Sequence, residues 1–137
     1  MSENPIFLFV CEHGAAKSVI AATYFNKLAV EKGLNLRAVS RGTTPDETLS
    51  ANTLAGLAND GLTPSESSPQ KLLPADIESA QMVISFCDLS NEEYQRDTSV
   101  EQWDDIPPVS QNYELARDAI LSNLNRLMDK IKTQDRE

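Results

Sequence analysis

The stretch Ile6-Phe7-Leu8-Phe9-Val10-Cys11-Glu12-His13-Gly14-Ala15-Ala16-Lys17-Ser18 decides how the rest of the 137-residue chain is read. Its first five residues are all apolar, the pattern of a strand buried on both faces, as strands are in parallel sheets covered by helices. From Ser18 the period changes. Ala21, Phe25, Leu28 and Ala29 recur at helical spacing, and Gly33 stops the run. The order is therefore strand, short loop, helix, with residues 11–17 as the loop.

Outward from this unit the same alternation continues. Residues 36–40 predict a second strand. Thr44-Pro45-Asp46-Glu47 supplies an N-cap, a proline at the first helical position and a capping-box Glu for a helix reaching Asn59 and closed by Gly61. A polar segment rich in Pro and Ser fills 63–69, and a short helical piece follows at 75–80. Met82-Val83-Ile84-Ser85-Phe86-Cys87 is another buried-strand run, and Ser90 with Glu93 has the spacing of a second capping box. Residues 100–103 read as a short strand. Ala116, Ile120, Leu124, Leu127, Met128 and Ile131 mark a long amphipathic C-terminal helix. Four strands alternating with helices predict a doubly wound α/β sheet, in one domain over 1–137, with no internal repeat or linker.

Composition narrows the function classes. Twelve Lys and Arg against 21 Asp and Glu leave a net charge of −9, a surface that repels nucleic-acid phosphates and anionic lipid. Hydrophobic residues make up 40% and charged residues 24%, ordinary globular usage that argues against disorder. Residues 1–5 carry Glu3 and no basic run, and no apolar window is long enough to span a bilayer, so the expected location is the cytoplasm. Cys11 and Cys87 form no C-x-x-C pair, and His13 is the only histidine, so no metal or other cofactor is expected.

In open α/β sheets ligands bind outside the carboxyl ends of the strands, and the loop after the first strand is a usual place. Backbone N–H groups of residues 12–17 and the following helix N-terminus predict a concave site for a small tetrahedral oxyanion. Gly14, Ala15 and Ala16 are small enough to let those amides approach it, with Glu12 and His13 beside them. A thiol at Cys11 sits at the positive end of a helix dipole and near Lys17, which favours the thiolate and makes Cys11 a candidate nucleophile. Ser18 is a candidate donor to it. A cysteine ending a central strand is equally a common packing residue.

Residues 7–18 resemble the phosphate loop of the low-molecular-weight protein tyrosine phosphatases and the related thioredoxin-linked arsenate reductases, whose signature is Cys, five residues, Arg, then Ser or Thr. Val39-Ser40-Arg41-Gly42-Thr43 is similar to a second-strand segment of that superfamily, and residues 103–108 resemble its late loop, which holds the general acid. The resemblance implies a four-stranded parallel sheet in the order 2-1-3-4, flanked by helices, and hydrolysis of a phosphotyrosine-type monoester through a phosphocysteine. Two positions depart from the pattern. Lys17 stands in place of the arginine, and an ammonium does not make the planar two-point fork on a phosphoryl group. Losing one oxyanion donor typically costs on the order of 3–4 kcal/mol. Where the superfamily has Asp-Pro, this chain reads Trp103-Asp104-Asp105-Ile106-Pro107-Pro108, so Asp105 or Asp104 is the expected acid.

Cys87 separates the alternatives. In the implied strand order it ends the strand beside Cys11, at an interstrand spacing of about 5 Å. A resolving cysteine occupies that strand end in the reductases, which predicts arsenate reduction by Cys11 and Cys87 with an external thiol reductant. A third reading is a catalytically weak module that binds phosphate or a phosphorylated partner. Arg41 is expected to point toward the loop, and Tyr94 and Trp103 to wall the pocket.

Overall fold

The computed structural model of the chain describes residues 5–64, 66–87 and 100–135. The element order is β1 (Ile6–Cys11), α1 (Lys17–Glu31), β2 (Arg37–Gly42), α2 (Ala51–Asn59), α3 (Pro74–Ser79), β3 (Met82–Ser85), β4 (Val100–Gln102) and α4 (Tyr113–Asp135). The four strands form one parallel sheet in the order β2-β1-β3-β4. This is the expected architecture and order. The second capping box and Tyr94 fall outside the described residues.

β1 sits at the centre and alternates between two cores. Phe7 and Phe9 join the larger one with α1 and α4, through Phe25, Ile20, Ile120, Leu124 and Met128. Leu8 and Val10 face the smaller one, with Val83, Leu72 and Ile77 of α3. Burial on both faces explains why the strand reads as an unbroken apolar run rather than an alternating one. Trp103 closes the larger core edge-on against Phe9 and Phe86, with ring centroids at 5.9 and 5.8 Å.

Both α1 and α2 stop where glycine takes a positive φ, Gly33 at 69° and Gly61 at 80°. Leu34 N–H bonds Ala29 C=O and Leu62 N–H bonds Leu57 C=O, capping the ends as the sequence predicts. The start of α2 differs from expectation. It begins at Ala51 and is capped by Ser50, whose hydroxyl accepts from Thr53 N–H at 3.3 Å, not by Thr44. The N–H groups of Thr43, Thr44, Asp46 and Ser50 go elsewhere, to carbonyls of residues 11–15, so this segment does not close a helical turn. β3 is also two residues shorter than expected, because Ser85 Oγ accepts from Cys87 N–H and turns the chain there. Among the described residues no helix is long and apolar enough to cross a membrane.

Candidate active site

The loop between β1 and α1 is shaped by a ladder of bonds from the segment after β2. Thr43 N–H donates to Cys11 C=O at 3.2 Å, Thr44 to Glu12 at 2.7 Å, Asp46 to His13 at 3.0 Å and Ser50 to Ala15 at 3.0 Å. Four loop carbonyls are thereby satisfied on one side, which suits a loop whose amides serve an anion on the other. Gly14 has φ of 61° and packs against Gly42, the residue paired with Cys11 across the sheet.

Cys11 ends β1 almost buried, with its Sγ 2.9 Å from the Oγ of fully buried Ser18. With Cys11 as thiolate, the hydroxyl is the donor. Beside the pair opens a cavity of about 380 Å³, lined by Cys11, Glu12, His13, Ala15, Ala16 and Lys17 from the loop and first helical turn. Cys87 lines the same cavity, so the chain brings both cysteines to one place, each with a free thiol. Burial pushes the Cys87 thiol up, the charges of Cys11 and Glu12 add to this, and the Ser85 hydroxyl works against it. Among the described residues no cluster of three or more His, Cys, Asp or Glu is arranged to hold a metal.

Four expected participants stand elsewhere. The Arg41 guanidinium donates from Nη1 to Glu66 at 2.8 Å and from Nε to Asp76 at 3.2 Å, tying β2 to α3 rather than reaching the loop. Asp104 and Asp105 are exposed and do not line the cavity; Asp105 Oδ1 accepts from Asn123 of α4 at 3.3 Å. Their loop is anchored by buried Ile106 and Val109, and it reaches the cavity through Pro108, Val109 and Ser110 instead. Trp103 is core, not pocket wall.

Asp46, Ser50 and Phe86 also line the cavity and escaped the sequence reading. Asp46 reads locally as a residue of a helix start. His13 Nδ1 stands 3.2 Å from Asp46 Oδ1, and His13 Nε2 is 4.0 Å from Glu12 Oε2.

Solved structures share this fold. YfkJ from Bacillus subtilis superposes with a TM-score of 0.85 at 18% identity, over 97% of this chain and 98% of its own. A Corynebacterium glutamicum thioredoxin-dependent arsenate reductase gives 0.80 at 21%, over 97% of this chain and 64% of its own. A low molecular weight protein tyrosine phosphatase from T. tengcongensis gives 0.80 at 18%, over 93% and 99%. No curated protein matches the sequence significantly. The sequence profile of the low molecular weight phosphotyrosine protein phosphatases matches residues 6–136, and with the strand order it describes this structure: the chain belongs to that enzyme family.

Proposed function

We propose that the chain hydrolyses phosphomonoesters of the phosphotyrosine type with Cys11 as nucleophile. The observation that carries this is the Cys11 Sγ to Ser18 Oγ contact of 2.9 Å at the edge of a cavity that Lys17 also lines. The thiolate attacks phosphorus, the S–P bond forms as the ester P–O bond breaks, and water then releases phosphate from the phosphocysteine. Loop amides and Lys17 hold the equatorial oxygens, and Ser18 steadies the thiolate. Lys17 does this as a point charge, without the bidentate grip of a guanidinium. Two free thiols suit a reducing compartment, and the proposed location is the cytoplasm.

The experiment is hydrolysis of an aryl phosphate by the wild type, Cys11→Ser and Lys17→Arg. The reading expects loss in the first variant and a gain of about tenfold or more in the second, within the range of one oxyanion donor. Activity surviving Cys11→Ser overturns it.

The presence of Cys87 in the same cavity favours a second reading, arsenate reduction. Cys11 attacks arsenic and displaces water. Cys87 then attacks Cys11 sulfur, arsenite leaves with the electron pair, and an external thiol reduces the resulting disulfide. Arsenate-dependent thiol consumption that vanishes in Cys87→Ser supports this reading. Phosphate binding with turnover in neither assay leaves a binding module.

A further inference from the structure

Phosphomonoester hydrolysis needs a proton for the departing oxygen, and neither Asp104 nor Asp105 lines the cavity. An imidazole does. We propose that His13 is the general acid and base of the reaction and that Asp46 is its positioning residue, an assignment that rests on Cys11 being the nucleophile.

The two residues meet twice. Asp46 N–H donates to the His13 carbonyl at 3.0 Å, and Asp46 Oδ1 lies 3.2 Å from His13 Nδ1. The first contact belongs to the ladder that shapes the loop, so the carboxylate is brought to the ring by the same bonds that present the anion site. A carboxylate at Nδ1 assigns the proton-transferring role to Nε2, as in other carboxylate–histidine pairs of enzyme sites. Glu12 Oε2 stands 4.0 Å from Nε2, beyond hydrogen-bond distance, so that proton is not committed to it. The ring is about half exposed, open to substrate and water. The other titratable groups lining the cavity are Cys11, Glu12, Lys17 and Cys87.

The steps balance. As the S–P bond forms and the ester P–O bond breaks, the leaving oxygen takes the proton of imidazolium Nε2. The neutral ring then accepts a proton from the water that attacks phosphorus, the S–P bond breaks, and the thiolate and the imidazolium are both restored as phosphate leaves.

The test compares phenyl phosphate, whose leaving group needs a proton, with 2,4-dinitrophenyl phosphate, whose leaving group does not. His13→Gln and His13→Asn are expected to lose on the order of a hundredfold in kcat/KM on phenyl phosphate, the lower range of general acid catalysis, and only a few-fold in kcat/KM on the dinitrophenyl ester, because kcat/KM reports the steps up to departure of the leaving group and not the later attack of water. Asp46→Asn shifts the same ratio in the same direction by about tenfold, which a merely structural role does not do. If both histidine variants lower the two substrates equally, or neither, while Cys11→Ser abolishes both, the nucleophile stands and the His13 assignment falls. If Cys11→Ser leaves hydrolysis intact, or the wild type hydrolyses neither ester, the underlying reading falls and takes this one with it.

Discussion

Gly14 and Gly42 meet backbone to backbone, so closely that a Cβ on Gly42 would stand 2.6 Å from Gly14 N and 2.9 Å from its Cα. The contact locks the loop after β1 onto the end of β2, and neither glycine tolerates a side chain. Gly42→Ala forces backbone apart, an overpacking cost of about 1–3 kcal/mol, and it displaces the loop amides. Urea unfolding and phosphate titration are expected to show lower stability and at least a tenfold loss of phosphate affinity. Gly33→Ala is the control: its φ of 69° carries a left-handed cost of about 1–2 kcal/mol, but nothing lies within 4 Å of the added carbon. It should lower stability alone. Wild-type phosphate affinity in Gly42→Ala would contradict the role given to this crossing.

Ser18 is fully buried and its hydroxyl lies 2.9 Å from the Cys11 sulfur. A hydrogen bond to a charged group contributes roughly 1.5–3 kcal/mol, at least a factor of ten. Ser18→Ala is therefore expected to slow carboxymethylation of Cys11 at neutral pH by about tenfold, measured with Cys87→Ser in the background so that one thiol reports. An unchanged rate would mean that the hydroxyl is packing and not a thiolate donor.

Asp104 and Asp105 are exposed and outside the cavity, with Asp105 engaged by Asn123. Surface substitutions of this kind change free energies by about 0.5 kcal/mol or less, so Asp104→Asn and Asp105→Asn should each alter kcat on an aryl phosphate by no more than about twofold. A hundredfold loss in either would return the acid to this loop and count against His13.

These residues mark where the sequence stops being readable. The two-faced burial of β1, the stripe of α1, the caps at Gly33 and Gly61 and the pairing of Cys11 with Ser18 all rest on neighbours within a few positions, and all were legible. The start of α2 was not, although Thr44 to Glu47 has sound helix-start chemistry, because the donors of Thr43, Thr44, Asp46 and Ser50 are taken by carbonyls of residues 11–15, more than thirty positions earlier. The same long-range ladder brings Asp46 to His13. Arg41 was misplaced for a related reason: Glu66 and Asp76, its partners, belong to segments that only the folded sheet brings alongside. The direction of Asp104 and Asp105 depends on Ile106 and Val109 going into the core, which no local pattern announces.

Away from the cavity, Asp60 joins three helices and should govern how stability varies with pH. Its Oδ2 accepts from Tyr24 of α1 at 2.6 Å and from Tyr113 of α4 at 2.8 Å, and its Oδ1 accepts from Arg117 at 3.0 Å. Burial alone would raise the Asp60 carboxyl, but the two phenols and the guanidinium outweigh it and hold it below the usual value of 3.8. A depressed folded value means that its contribution is present above 3.8 and is lost as pH falls through the folded value. Tyr24 behaves oppositely. Burial, and then the Asp60 carboxylate, push its phenol from 10.0 up to about 12, so its contribution is intact below pH 10 and disappears as pH rises through 12. Asp60→Asn leaves Arg117 with only the exposed Asp118 carboxylate and is expected to cost on the order of 3 kcal/mol at neutral pH. Thermal unfolding followed from pH 3 to 12 should show a lower Tm in this variant and a flatter fall at both ends than in the wild type. Tyr24→Phe should flatten the alkaline fall and, by removing one of the phenols that hold the Asp60 carboxyl down, soften the acid fall in part. A Tm profile for Asp60→Asn that runs parallel to the wild type at every pH would show that the cluster does not carry the pH dependence.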